Sequence, residues 1–378
     1  MKQLNYLLFL LVCLVTSIPS FAQFTINGRS VIYDKVSDTY MVSIPENAFG
    51  TDYEASIALD ATAGWSNLSI EGTDIADNYT FKQVEGNKIY KIHAQEGDKE
   101  INTQLTFTFL PLLVMEGTFG YSYAQGNISL LSPEAAEPTN SFAKVKWRGG
   151  TTNTADKHKR NYKIKTLNEK GKKQEISLLG MREDNNWILD AGQIDLFRLR
   201  NRIATEIWND FATKPYYASK EPKAKSGVTG KVVEVILNNE YRGIYSLTEA
   251  MDRKELKLKK YDDKNQEFHG QLWKVSSWDK ATFWDIDKDY DNTQETWHAF
   301  ETKYPDIEDV NPTDYSPLYE AIDFVANSND EAFKKEVGDY FDIPVLIDYQ
   351  LFQETLKPVD NNGSGNAHTI KGTGTTTY

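Results

Sequence analysis

Cysteine is almost missing from this chain: Cys13 is the only one in 378 residues. It lies in the apolar N-terminal run Leu7 to Val15, so once that run is removed no disulfide and no thiolate chemistry remain. The fold must then be held by its core. Histidine is scarce as well, five in all, and neither an HExxH motif nor a Cys pair occurs, which leaves a zinc site without support. No GxSxG elbow appears either, so a serine hydrolase has no anchor. Beyond residue 23 no apolar run is long enough to span a bilayer. Basic charge is in deficit, with a net charge of −13, and this argues against general nucleic-acid binding.

What is present begins with "MKQLNYLLFLLVCLVTSIPSFAQ", which fits a secretory signal peptide. Lys2 supplies the positive end, Leu7 to Val15 the apolar stretch, and Ser20-Phe21-Ala22 a small-x-small cleavage site. The run is too short for a membrane anchor and lacks a basic stop on its far side. Val12 before Cys13 argues against a lipoprotein. The expectation is export with cleavage after Ala22, to the exterior, the periplasm or the cell surface, and no membrane span afterwards.

Residues 23–109 alternate as strands do, in "SVIYDKV", "TYMVSI", "EASIAL", "KIYKIHA" and "QLTFTFL", separated by Gly, Asn and Asp turns. They predict a small antiparallel β-sandwich, either a spacer or a glycan-binding module. Residues 110–378 mix α and β, so the fold class is α+β. The stretch from Lys144 to Lys173 is strongly basic, with Asp156 and Glu169 its only acids. Such an island suits a local anionic ligand, although on charge alone a solvated sheet face is the favoured reading. "FAKVKWRGG" places Ala143, Val145 and Trp147 on one face and Lys144, Lys146 and Arg148 on the other, and "RNYKIKTL" repeats the pattern with Lys163 and Lys165. The pair predicts a hairpin with one basic face. Helices follow: one from an Asp195 N-cap with an apolar stripe of Leu196, Leu199, Ile203, Ile207 and Phe211, one with Ser316 as N-cap and Pro317 at the first helical position, and one capped by Asp342. Between the first two, "KVVEVILNNEYRGIYSLTE" reads as a hairpin turned at Asn238-Asn239.

Three stretches have the residue types that chemistry needs. "GGTTN" frees backbone N–H groups for phosphate, but it lacks the Gly-Lys-Ser/Thr ending of a P-loop. "DNNGSGN" offers Asp360 and Asn366 in the order kinases use, a carboxylate for the attacking hydroxyl and then an amide oxygen for the metal; a helix-ending Asn-Gly turn is the rival reading. "WDIDKDYDNTQE" alternates Asp285, Asp287, Asp289 and Asp291 like a calcium loop, yet Tyr290 stands where that loop requires Gly and Thr296 where it requires Glu. A solvated acidic loop is the expectation there.

Taken together, "AKVKWRGGTTN", "HKRNYKIKTL", "LGMREDNNWILDAGQIDLFRLRNRIATEIW", "VEVILNNEYRGIYSLTEAMDRK" and "VDNNGSGN" resemble the CotH kinase family, the spore-coat protein H-like atypical kinases, in the form found in exported Bacteroidetes-type proteins. The resemblance runs from about Leu110 to Asn366 and leaves the first hundred or so residues outside. It implies an atypical protein-kinase-like α+β domain that transfers phosphate from ATP, with Mg2+ or Mn2+, to a protein in the same exported compartment. Carried over by position, Asp360 is the catalytic-loop aspartate and Asn366 the metal-side asparagine. Lys165, with Lys163 and Lys159 beside it, falls on the lysine-bearing strand, and Lys165 is the expected phosphate lysine. Arg148, Arg200, Asn201 and Glu249 match recurrent family positions, and Glu249 is a candidate partner for the lysine.

One departure stands out. The family has a "WDxD"-like strand end, with a metal-holding Asp, about twenty residues beyond the asparagine; here "NAHTIKGTGTTTY" carries no carboxylate. The expectation is therefore a domain lacking its C-terminal part, with impaired transfer. The alternative is a non-catalytic, pseudokinase-like binding or assembly module at the cell surface.

Overall fold

A computed structural model describes residues 23–62, 64–275, 283, 286–306 and 313–357. Residues 1–22, the expected signal peptide, and the stretch Asp360 to Asn366 lie outside the described residues. The described fold is α+β, dominated by strands, with four α-helices. It divides into two compact units, Met1–Leu199 with Gly230–Glu249, and Arg200–Thr229 with Ala250–Tyr378.

The first unit begins with ten short strands: β1 (Phe24–Ile26), β2 (Arg29–Ser30), β3 (Ile32–Asp34), β4 (Thr39–Ser43), β5 (Tyr53–Leu59), β6 (Trp65–Ile70), β7 (Thr73–Asp74), β8 (Asn78–Phe81), β9 (Tyr90–Glu96) and β10 (Lys99–Thr108). They form two sheets, ordered β2-β1-β5-β8 and β3-β4-β10-β9-β6-β7. Alternation drives the assembly. In β9, Tyr90, Ile92 and Ala94 turn inward while Lys91 is exposed. These residues join Phe24, Val42, Ile70, Phe81, Leu105 and Phe107 in one core. One pairing departs from the expected antiparallel pattern: β4 and β10 run parallel.

Seven further strands close a barrel in the order β11-β12-β13-β14-β15-β17-β16. They are β11 (Leu112–Glu116), β12 (Ala124–Leu131), β13 (Thr139–Arg148), β14 (Asn161–Leu167), β15 (Asn186–Asp190), β16 (Gly230–Leu237) and β17 (Glu240–Glu249). The parallel pairing of β11 with β16 makes the closure. Pro111 sits just before β11, where a missing N–H costs nothing, and its carbonyl accepts the Glu234 N–H at 2.9 Å. Asn238 and Asn239 turn the β16–β17 hairpin with φ of +53° and +60°, the backbone that a two-residue hairpin loop requires. Leu113, Val145, Ile164, Trp187, Leu189, Val233 and Leu247 fill the interior, so the barrel is a packed core and not a channel.

Sandwich and barrel are joined by a second apolar cluster, Ile32 and Met41 against Leu112, Val114, Leu131 and Ile236. Polar bonds fix the register of this seam. The Lys35 N–H donates to the Asn239 carbonyl at 2.8 Å, the Tyr241 N–H donates to Asp34 at 3.0 Å, and the Arg29 guanidinium donates to the carbonyls of Ser132 and Ala135.

The second unit holds α1 (Arg200–Phe211), a small sheet of β18 (Leu272–Val275), β19 (Thr296–Trp297) and β20 (Phe300–Tyr304), then α2 (Ser316–Asn327), α3 (Asp330–Tyr340) and α4 (Ile343–Leu356). Its core gathers Val275, Trp297, Phe300, Tyr315, Leu318, Ile322 and Phe341. No helix among the described residues is long and apolar enough to cross a membrane.

Three helix starts differ from expectation. Ser316 is the first residue of α2, and Tyr315 takes the N-cap place. Asp195 does not cap α1. The chain from Gly192 to Arg198 closes on itself instead, with the Arg198 guanidinium on the carbonyls of Gly192 and Gln193 and Arg198 at φ +63°, so the helix opens at Arg200. Asp342 does precede α4, but its carboxylate accepts the Tyr216 N–H at 2.7 Å and not a first-turn amide. The anticipated stripe of α1 is present in spacing only. Leu196, Ile203, Ile207 and Phe211 are all exposed, and the one buried residue of α1 is Arg202.

Candidate active site

β13 and β14 form the hairpin that alternation calls for, and its register is unusual. Lys144 faces Lys165, and Lys146 faces Lys163, directly across the strands. Their neighbours Val145 and Ile164 face each other in the core, so all four lysines stand on the outer face. Like charges opposite one another are destabilising by some tenths of a kcal/mol up to about 1 kcal/mol per pair. Part of that repulsion is offset by Tyr123, just before β12, whose ring receives the ammonium of Lys146 at 4.9 Å and of Lys165 at 5.0 Å. Burial pushes the Tyr123 hydroxyl up from its ordinary value, so it stays protonated near neutral pH. A row of cations of this kind suits a polyanion chemically, because a chain of phosphates lying on it neutralises several of them at once.

The ladder ends at Arg148, paired with Asn161 and exposed. There the chain enters the turn Gly149-Gly150-Thr151-Thr152-Asn153, in which Gly149 takes φ +101°. The turn is strapped from both sides. Arg160 donates to the carbonyls of Asn153, at 2.7 Å, and Thr154. Its guanidinium lies 4.6 Å from the centre of the Trp147 ring. Tyr121 Oη donates to the same Asn153 carbonyl at 3.0 Å. On the other side Asn161 Nδ2 donates to Thr152 Oγ1 while its Oδ1 accepts the Ala191 N–H at 2.7 Å.

Lys159 is committed elsewhere. Its ammonium donates to the carbonyls of Ala191 and Ile244 and lies 4.1 Å from the Tyr245 ring centre. Burial, with Arg198 adding like charge, lowers its pKa to about 8. It is a fastening at the barrel end, and Lys163 and Lys165 are the lysines of the outer face.

Glu249 lies on the opposite side of the barrel wall from Lys165. It lies opposite Trp187 across β15–β17, and Trp187 in turn lies opposite Ile164. All three share the core side of the wall, and Lys165 points the other way. Glu249 is 1% exposed and accepts the Arg182 N–H at 2.9 Å. Arg200 and Asn201 are exposed residues in the first turn of α1, in the second unit. Asp360 and Asn366 lie outside the described residues.

The acidic loop near Trp284 does not converge on a cation among its described residues. Asp289 accepts the Trp297 indole N–H at 2.8 Å, and Asp291 caps Thr293. Tyr123, Asn153 and Asn161 border this candidate site and were not singled out from the sequence; Arg160 was, as one cation of the basic island. The only available signal for the first three was their place beside a glycine pair and a basic strand.

The lysine-bearing hairpin and the glycine turn belong to a closed β-barrel in the first unit, and the α-helices belong to the second. The family model for CotH kinase protein matches residues 145–373, and the chain belongs to that family. Membership brings kinase-like function and, in general, use of a nucleotide and a divalent metal. Among curated proteins none matches the chain.

Proposed function

We propose that this protein transfers the γ-phosphate of ATP to a Ser, Thr or Tyr hydroxyl of another exported protein, with Mg2+ or Mn2+ as counter-ion. The observation that carries this reading is the outward ladder Lys144/Lys165 and Lys146/Lys163, ending in a glycine turn. Lys165, with Lys163 beside it, neutralises the phosphates, and Arg148 closes the row. Asp360 takes the proton of the acceptor hydroxyl as its oxygen bonds to the γ-phosphorus; the bond from that phosphorus to the bridging oxygen breaks, and ADP leaves with the electron pair. The metal, when bound beside Asn366, supplies charge neutralisation on the β- and γ-phosphates. Arg200 and Asn201 remain candidates for contacts to nucleotide, whereas Glu249 holds the Arg182 segment in place.

A second reading, a module that binds nucleotide or a partner without transfer, needs only the lysine ladder and the glycine turn and no part of the Asp360 stretch. Incubation with γ-labelled ATP and Mg2+ or Mn2+ separates the two. Label that appears on the wild type and disappears in Asp360→Ala supports transfer. ATP binding that is lost in Lys165→Ala, with no label in any sample, supports the binding module. Absence of both binding and label sinks the nucleotide reading altogether.

A further inference from the structure

We propose that Asn153 is a ligand-contact residue of the glycine turn, its carboxamide hydrogen-bonding a phosphate oxygen of the bound nucleotide once the turn lifts. The inference rests on the nucleotide reading above and deepens it by naming a contact that neither the lysine ladder nor the family-matched catalytic residues supply.

The observation is an unmet hydrogen-bonding group in an otherwise well-tied loop. Asn153 is 0% exposed, and among the described residues neither its Nδ2 nor its Oδ1 has a partner. A buried amide left in this state is costly to the fold, and native chains keep such a group where a ligand, an ion or a water completes it. Slack backbone does not account for it. The Asn153 carbonyl is held by both Arg160 and Tyr121, its N–H donates to the Gly150 carbonyl at 3.0 Å, and its neighbour Thr152 is held by Asn161. Only the side chain is unanswered.

Gly149 shows how the group can be reached. A Cβ at Gly149 would stand 2.5 Å from Thr152 Oγ1, 3.7 Å from Asn161 Nδ2 and 3.8 Å from Asn153 Cβ. The cover over these three polar side chains is therefore bare backbone, next to a second glycine with nothing within 4 Å of its own missing Cβ. Two adjacent glycines allow the turn to change its dihedrals at small steric cost. The position also fits the ligand. Arg148 and Asn161 are the next pair beyond Lys146 and Lys163 on the same face of the hairpin, so a phosphate chain on the ladder ends under this turn. A cation suits the place less well, because the cluster has no carboxylate and Arg160 stands beside it.

The test uses the full chain, with MgATP and inorganic tripolyphosphate as titrants in calorimetry and thermal melts without ligand. Asn153→Ala is expected to weaken both titrants about tenfold, the effect of one hydrogen bond to a charged group. Its ligand-free melting point should be unchanged or higher, because two unmet polar atoms are gone. Asn153→Asp should weaken binding further by setting a carboxylate against phosphate. A ligand-free melting point several degrees lower, with affinities unchanged, overturns the proposal and makes Asn153 a structural, water-bridged residue. A loss confined to MgATP also overturns it, since the carboxamide would then read the nucleoside. Wild type that binds neither titrant defeats the nucleotide reading and this inference together. If Lys165→Ala loses binding while Asn153→Ala keeps it, the nucleotide reading stands and this inference alone falls.

Discussion

Lys159 shows how a residue with the right chemistry can be recruited for a different task. Two backbone carbonyls and an aromatic face already occupy its ammonium, and a neutral amine can still serve both carbonyls with its two N–H groups. Its pKa, lowered to about 8 from 10.5, has a definite thermodynamic sign. Between those two values the unfolded chain binds the proton and the folded chain does not, so the contribution to stability grows as pH rises from about 8 to about 10.5. Urea midpoints of wild type minus Lys159→Met across that window should therefore slope upward, and a flat difference would show that the side chain is solvated. Asp34 behaves in the opposite sense. Burial alone would raise its carboxyl, but the Ser37 hydroxyl and the N–H groups of Tyr241, Val36 and Ser37 together hold it below the ordinary value. Its contribution is present above about pH 4 and is lost as pH falls through the depressed value. Asp34→Ala strands these donors, and denaturation at pH 7 should show a loss of about 2–4 kcal/mol.

Whole strands were legible because two-residue periodicity is local. The outward lysines and inward Val145 and Ile164 follow from alternation alone, as does the Asn238-Asn239 turn from its two left-handed residues. The lysine-against-lysine register was not legible, because it depends on the length of the turn that joins β13 to β14. Helix α1 was misread for a related reason. The spacing of Ile203, Ile207 and Phe211 is real, yet spacing gives the phase of a stripe and not which side the fold covers. The covered residue is Arg202, whose guanidinium donates to the Val228 carbonyl at 3.0 Å and pairs with Glu206 at 3.2 Å. The apolar anchor of α1 is instead Trp208, packed edge-on against Tyr349 and Phe352 of α4. Substitutions should rank accordingly in urea unfolding. Arg202→Ala removes a buried, bonded group and is expected to cost about 2–4 kcal/mol, whereas Ile207→Ser on the open side should stay within about 0.5 kcal/mol. Equal costs would mean that the stripe is covered in solution.

At the scale of the whole first unit, the sandwich cannot be a loosely tethered appendage. Four large apolar side chains of the barrel, Leu112, Val114, Leu131 and Ile236, are at most 5% exposed, and Ile32 and Met41 of the sandwich share their cluster. Fully burying one such side chain contributes about 1.5–3 kcal/mol. Four of them approach about 6–12 kcal/mol as an upper bound, a quantity as large as the net stability of an ordinary domain, about 5–15 kcal/mol. Composition could separate an all-β segment from a mixed one, but it could not show this seam: its residues are spread over more than two hundred positions, and each reads locally as an ordinary strand residue. The Asp34–Tyr241 and Lys35–Asn239 bonds fix the register of the same seam, so removing the sandwich also strands polar groups on the barrel. A chain of residues 110–378 is therefore expected to aggregate, or to melt well below the full chain, in light scattering and thermal denaturation. The full chain should lose its sandwich and barrel signals in a single transition. A monomeric fragment with the full chain's melting point would show that the seam adds little, and the sandwich would then be free to act as a separate module.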